Sequence, residues 1–345
     1  METIKIKWKR LLAFFAFVAP LMYVNAQKVT IGGLKYFLDT ESQEAIIDNG
    51  NIWSGELSIP SEVCYNGQVF VVKSISWAAF YDCSELTKVR IPKTIEYVTH
   101  HVLSESDALG AVPDDCMNPF VGCSALESIE VDEENPCMCS VGGVLFSKDK
   151  SRLYCYPAGA KATKYMVPDN VTWLGTAVFS YNTYLQSVEM SNCVTRMSGS
   201  AFAGCTNLKS VRLSESLECI SAYTFDNCES MRIIDIPQSV NRFEESVFRG
   251  TNLDALVVRG TFPEALRGDT FYSISDSMII YAQSSEISKF KKVFSGTILP
   301  LENYTDGFVT PKASTASSSL YDLSGRRITQ PTKGVYIRQG RKVVK

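Results

Sequence analysis

The sequence predicts a repeat solenoid: a right-handed coil carrying one short parallel β-strand in each unit of about 23 residues. Three observations predict it. Phe179, Phe202, Phe225 and Phe248 recur at a constant spacing of 23 residues. Counted forward from each Phe, apolar residues return at offsets six, nine and eleven, and Cys recurs at offset three. Offsets nine and eleven alternate, as in a strand with one face inward. A unit this short cannot bury a core alone, so units must stack, strand beside strand at about 4.8 Å.

The chain opens on a processing signal. Lys5, Lys7, Lys9 and Arg10 form a basic n-region, and an apolar run follows from Leu11 to Val18. Val24-Asn25-Ala26 supplies a cleavage point between Ala26 and Gln27. The run to Val24 is 14 residues and holds Pro20, short of the ~20 that span a bilayer. Residues 1–26 are therefore expected to be a secretory signal peptide.

Residues 27–75 are expected to form an N-terminal cap and first coil, and 76–260 the repeats. Phe80 and Phe120 share the local context of the later Phe residues. The eleventh position runs Ile59, Ile91, Val131, Val167, Met190, Leu213, Ile236, Val258. Early steps are long, so insertions are placed at about 99–118 and 132–160. The expectation is seven or eight coils around one continuous core. Cys83, Cys123, Cys205 and Cys228 fall at offset three, inside the stack, where Cys serves as a small buried hydrophobe. The 11 Cys are odd in number, so they cannot all pair within the chain. A bridge among Cys116, Cys137, Cys139 and Cys155 is compatible with export.

AFAGCTNLKSVRLSESLECI and TFDNCESMRIIDIPQSVNRF resemble the BspA-type leucine-rich repeat. GGVLFSKDKSRLYCYPAGAKATKYMVP resembles the hairpin insertion of such proteins, and IGGLKYFLDTESQEAIIDNG their N-terminal capping region. The resemblance covers residues 29–260. It implies a leucine-rich-repeat solenoid on the surface of anaerobic Gram-negative bacteria, with adhesion or host-protein binding as its role. Departures are Trp77, where the pattern prefers Gly, and Asn182, which replaces the ladder Cys.

Residues 261–309 lose the 23-residue register and are expected to cap the stack. Residues 310–319, TPKASTASSS, read as a linker. Residues 320–345 read as a basic tail with a small β-hairpin, turning at Ser324-Gly325 and Gln339-Gly340. The tail resembles the end of a type IX secretion C-terminal sorting domain, which implies contact with the export machinery of the outer membrane. Residues 321–345 hold seven basic groups and one acid, whereas the whole chain carries −3. The acidic body excludes a general nucleic-acid binder.

Outward strand positions are the natural ligand face of a solenoid. Lys88, Arg90, Glu130, Glu189, Arg212, Ile233 and Asp235 are the expected protein-binding strip, with Arg90, Arg212 and Ile233 as anchors. Ala255 and Val257 occupy the same outward offsets in the last repeat. No catalytic residue is expected: carboxylate pairs such as Glu133-Glu134 are adjacent, and no GxSxG, HExxH or phosphate loop occurs. His100, His101, Asp107, Asp114, Asp115 and Cys116 match no zinc spacing, so neither metal nor cofactor is expected. The sequence thus reads as a secreted or surface-attached, non-catalytic protein binding an extracellular protein or glycan, its oligomeric state left open. The alternative is a carbohydrate-capture or structural envelope module. For capture, Tyr154, Tyr156, Trp173, Tyr181 and Tyr184 are the aromatic candidates, although core packing explains most of them equally well.

Overall fold

The computed structural model describes residues 26–99, 117–262, 270, 274, 277–304 and four short strands beyond 319. The expected signal region before Ala26, the His100–Cys116 segment and the 310–319 linker lie outside the described residues. Within them the chain is many short strands, one four-residue α-helix, Ile287–Phe290, and one 3-10 turn, Leu301–Asn303.

The N-terminal sheet forms first. Ala26–Ile31, Leu34–Asp39 and Glu44–Ile47 run antiparallel, and Glu44–Ile47 then pairs in parallel with Gln68–Ser76. Hairpins here turn on two residues, Gly32-Gly33 and Asn66-Gly67, each with positive φ at both centres. That geometry matches the right-handed twist of flanking strands. Tyr36, Leu38, Ala45, Ile47, Phe70 and Val72 form the buried face.

Beyond this sheet, strands stack in two ladders. The front ladder is the one read from the sequence. Gly55–Ser58, Leu86–Ile91 and Ser128–Val131 pair in parallel. Lys164–Met166, Ser187–Glu189 and Ser210–Arg212 form a second parallel set. Ile233–Ile236, Ala255–Val258, Ile279–Ala282 and Thr297–Pro300 form a third. Offset-nine residues lie in register across each set, as in Val89 with Ile129, Val188 with Val211 and Ile234 with Leu256. All six are buried.

A second, side ladder runs five to six residues before each Phe. Arg152–Cys155, Trp173–Leu174 and Arg196–Met197 pair in parallel, as do Cys219–Ile220 and Arg242–Phe243. Its inward residues Leu153, Leu174, Met197, Ile220 and Phe243 are buried. A third set of bonds joins coils behind the Phe column. Phe179 N–H donates to Ala201 C=O, Phe202 to Thr224 and Phe225 to Val247, each at 2.9 Å.

The Phe column fills the interior. Phe179, Phe202, Phe225 and Phe248 stack nearly face to face with centroids 5.0, 5.6 and 6.0 Å apart. Phe80 and Phe120 form a separate stacked pair at 5.5 Å. The core is accordingly two apolar clusters, where one continuous core was expected. The cause is the 132–160 insertion. Its strands Met138–Val141 and Val144–Ser147 alternate, so Met138 and Leu145 join the N-terminal cluster while Val144 and Phe146 join the C-terminal one. The insertion is a wedge between two halves of the stack.

In the C-terminal region the Phe repeat stops, yet the front ladder continues through Ile279–Ala282 and Thr297–Pro300. Phe262 and Phe290 meet edge to face at 4.8 Å, and Phe290 and Phe294 are buried in the C-terminal cluster. The region closes the stack with further strands. In the tail, Val335–Arg338 pairs antiparallel with Arg341–Val344 and with Leu320–Tyr321, which pairs with Arg327–Ile328.

Candidate functional site

The front ladder presents the residues singled out from the sequence, and they meet one another. Arg90 reaches Glu130 at 3.1 Å on the neighbouring strand and Glu56 at 2.9 Å on the other side. Lys88 also reaches Glu130, donates to it, and holds its carboxyl below the ordinary range. Arg212 reaches Glu189 at 2.5 Å. Asp235 accepts two hydrogen bonds from Arg259, at 2.7 and 2.6 Å. Ile233 is half-buried. The expected strip is therefore two short groups of exposed ion pairs, Glu56–Arg90–Glu130 and Glu189–Arg212, separated by Met166, with Asp235 paired and mostly buried beyond them. Ala255 and Val257, expected outward, are buried, so the strip is interrupted after Asp235.

The side ladder frames a groove of about 570 Å³ lined by Trp173, Arg196, Cys219, Arg242 and Glu244. Trp173 was a candidate sugar platform, and the structure removes it from that role. The residue is buried, 6% exposed. It lies between the Arg152 and Arg196 guanidinium groups, 4.5 and 4.2 Å from its centre, and its Nε1–H donates to Ser198 Oγ at 2.9 Å. Both ring faces are taken. Tyr156 is also buried, whereas Tyr181 and Tyr184 are exposed. Cys219 accepts from Arg242 Nε at 3.0 Å, yet burial raises its thiol above the ordinary range. A thiol so held has little thiolate to act as nucleophile. Cys137 and Cys139 are thiols, and Cys116 lies outside the described residues. Among the described residues no group of three or more His, Cys, Asp or Glu side chains converges as a metal site would require.

A second groove, of about 400 Å³, lies behind the Phe column. The sequence reading missed most of it. Trp77, Tyr81, Tyr181 and Tyr223 line it, with Asp226 and Arg249. Its residues come from a backbone that turns twice into the left-handed region. Two residues after each Phe, the chain has positive φ at Asp82, Gly122, Tyr181, Gly204, Asn227 and Gly250. Two residues before the last four Phe, it has positive φ at Ala177, Ser200, Tyr223 and Ser246. Gly, Asn and Asp suit this region, and small Ala or Ser tolerate it. A bulky aromatic there costs about 1–2 kcal/mol. Tyr181 and Tyr223 are the exceptions in their two rows, and both line this groove. The mismatch shows only once the left-handed rows are known from the backbone.

The groove's polar groups are fixed. Arg249 makes a bidentate pair with Asp226, both bonds 2.7 Å, and its guanidinium lies 5.1 Å from the Tyr223 ring centre. Tyr181 packs flat on Gly204, where an added Cβ would sit 2.7 Å from its Cδ1. Burial, and then the neighbouring Tyr81, hold the Tyr181 phenol above its ordinary range. Tyr81 and Tyr181 nonetheless remain 48% and 42% exposed.

With this geometry in place, comparison with known proteins gives the family. The BspA type leucine rich repeat region matches in six copies over residues 69–114 and 152–278, just over half of the chain. The chain belongs to the BspA-type leucine-rich-repeat family. The matched residues include Phe80, the Phe179–Phe248 column and the side ladder. No curated protein matches. Among solved structures, the pneumococcal vaccine antigen PcpA is 19% identical, with 79% of this chain and 98% of that one covered and a TM-score of 0.48. A leucine rich cell surface protein from Faecalibacterium prausnitzii is 14% identical, with coverage of 79% and 99% and a TM-score of 0.47. A leucine-rich repeat protein from Bacteroides ovatus is 18% identical, with coverage of 78% and 66% and a TM-score of 0.39.

Proposed function

We propose that this chain is a non-catalytic, adhesin-like protein displayed outside the cell, whose coils form a right-handed solenoid that holds an extracellular macromolecule along its front face. One observation carries the reading: the front ladder presents two groups of exposed ion pairs, Glu56–Arg90–Glu130 and Glu189–Arg212, followed by the more buried Asp235 held by Arg259. Each exposed pair is worth only about 0–1 kcal/mol, so a partner's charges exchange with it at low cost. A row of such pairs recognises an extended, charge-patterned partner and leaves neutral surfaces alone. The basic n-region before Leu11 supports export, and the basic tail after Ser319 supports passage to the outer surface by a type IX route.

The test is exposure on intact cells. Full-length protein and a chain ending at Ser319 are produced in a host with type IX export, and the cells are treated with protease. Digestion of the full-length protein with protection of the truncated one is the expected result. Protection of both refutes the surface assignment and moves the binding role to the periplasm.

A further inference from the structure

We infer that the groove behind the Phe column is a binding site for neutral carbohydrate. The inference deepens the proposed macromolecule-binding role, but it stands on this groove's own geometry and not on the front row.

Two rows of the repeat require left-handed backbone, and each row breaks its own composition once. Tyr181 replaces Gly, Asn or Asp, and Tyr223 replaces Ala or Ser. Neither aromatic is needed to close its turn, because the other coils close the same turns with small residues; the rings add a contact of Tyr181 on Gly204 and of Tyr223 with Arg249. Tyr223 N–H donates to Glu245 C=O at 3.1 Å, the same bond that Ser200 makes to Ala222 at 2.8 Å. Strain kept at two positions that share one groove points to a ligand contact.

The chemistry of the groove selects the ligand. Tyr81 and Tyr181 expose ring surface there, with Trp77 and Tyr223 alongside. Such rings pack on the C–H face of a pyranose, and phenol hydroxyls answer its rim. Arg249 spends two of its five donors on Asp226, which leaves capacity for a hydroxyl acceptor. Among the described residues Asp226 and Arg249 are the charged members of the lining, and they neutralise each other. A neutral, polyhydroxylated ring fits this combination, and an anionic ligand would have to displace Asp226. The volume of about 400 Å³ is within the range of small-ligand sites.

The test uses purified full-length protein on an array of neutral oligosaccharides of glucose, galactose, mannose and N-acetylhexosamine, with sialylated and sulfated glycans beside them. The replacements are those the repeat itself uses, Tyr181→Asn and Tyr223→Ser. We expect retention of at least one neutral glycan, a loss of tenfold or more in affinity in each variant, and a melting temperature equal to or above wild type. Overturning results are no neutral glycan retained, variants that retain it at full strength, retention confined to anionic glycans, or variants that lose binding while melting below wild type. An Arg90→Ala/Arg212→Ala protein keeps the glycan. Its loss of a macromolecular partner tests the front-row reading separately.

Discussion

The thiol of Cys205 donates to the carbonyl oxygen of Phe179, 3.0 Å away and one coil earlier. Cys228 does the same to Phe202 at 3.2 Å, and Cys123 to Phe80 at 3.1 Å. The offset-three cysteine is thus more than a small hydrophobe. It adds a second bond to a buried carbonyl that already accepts the backbone N–H three residues further on in its own coil. Asn182 takes this place in its coil and does more. Its amide donates to Pro157 and Ala160 carbonyls at 3.0 and 3.1 Å, and its oxygen accepts from the Tyr184 and Leu185 N–H groups. Removing one weak donor costs about 1 kcal/mol, whereas orphaning several buried groups costs about 1–3 kcal/mol for each. Cys205→Ala should therefore lower stability by about 1–2 kcal/mol, and Asn182→Ala by at least about 3 kcal/mol. Urea unfolding of the two variants checks the order. Equal losses would refute the bonding role of Asn182.

The same thiols impose an alkaline limit. Burial raises the Cys205 thiol to about 12 and raises Cys123 and Cys228 as well. Unfolded thiols ionise near pH 8.5. Between that pH and about 12 the unfolded chain binds fewer protons than the folded one, so stability falls as pH rises. Below pH 8.5 the contribution is complete. Each thiol adds a slope of up to about 1.4 kcal/mol per pH unit within the window. A chain with Cys123, Cys205 and Cys228 all changed to Ser should show a shallower decline from pH 8.5 to 10.5 than wild type. Parallel curves would show that these thiols do not set the limit.

How much of this was legible depends on how many residues announce each element. The front strands carry two inward residues each, such as Val211 and Leu213, and repeat at 23, so period and register could both be read. Side-ladder strands have two residues and one inward member, Leu174, Met197 or Ile220, too few to show an alternation. The strand Ile279–Ala282 lost its Phe marker but kept its pairing partner, and pairing is invisible to a search keyed on Phe. Arg212 and Glu189 were both picked as outward residues, but their mutual pairing follows from stacking and appears only when coils are superposed. The back groove was hidden for another reason. Tyr181 and Tyr223 look ordinary until the left-handed rows are known.

The middle of the Phe column should be its weakest place to cut. Phe202 is stacked on both faces, by Phe179 and Phe225, whereas Phe248 is stacked on one face and meets Phe243 edge-on. Stability in stacked repeats is close to a sum over neighbouring interfaces. Phe202→Ala should cost about 3–5 kcal/mol and divide unfolding into two steps. Phe248→Ala should cost less and leave one step. Calorimetry distinguishes them, and a single sharp transition in Phe202→Ala would sink the idea.

The front ion pairs should behave oppositely. Arg212 and Glu189 are both exposed enough for water to screen their contact. Arg212→Ala should change stability by less than about 1 kcal/mol. Chemical denaturation checks this. A larger loss would mean the row is structural, and the front face would no longer be a surface available for exchange.

Trp173 supplies the contrast with the proposed sugar groove. Clasped by Arg152 and Arg196 and bonded to Ser198, it ties three successive coils of the side ladder together. Two guanidinium–ring contacts at about 0.5–1 kcal/mol each add to the burial of the indole. Trp173→Ala should cost about 3–5 kcal/mol, the range of a large buried aromatic. At a temperature where that variant is folded, its affinity for any glycan retained by wild type should be unchanged, because neither face of the ring is open to a ligand. Selective loss of glycan binding in a folded Trp173→Ala protein would place the sugar on the side ladder and take it away from Tyr181.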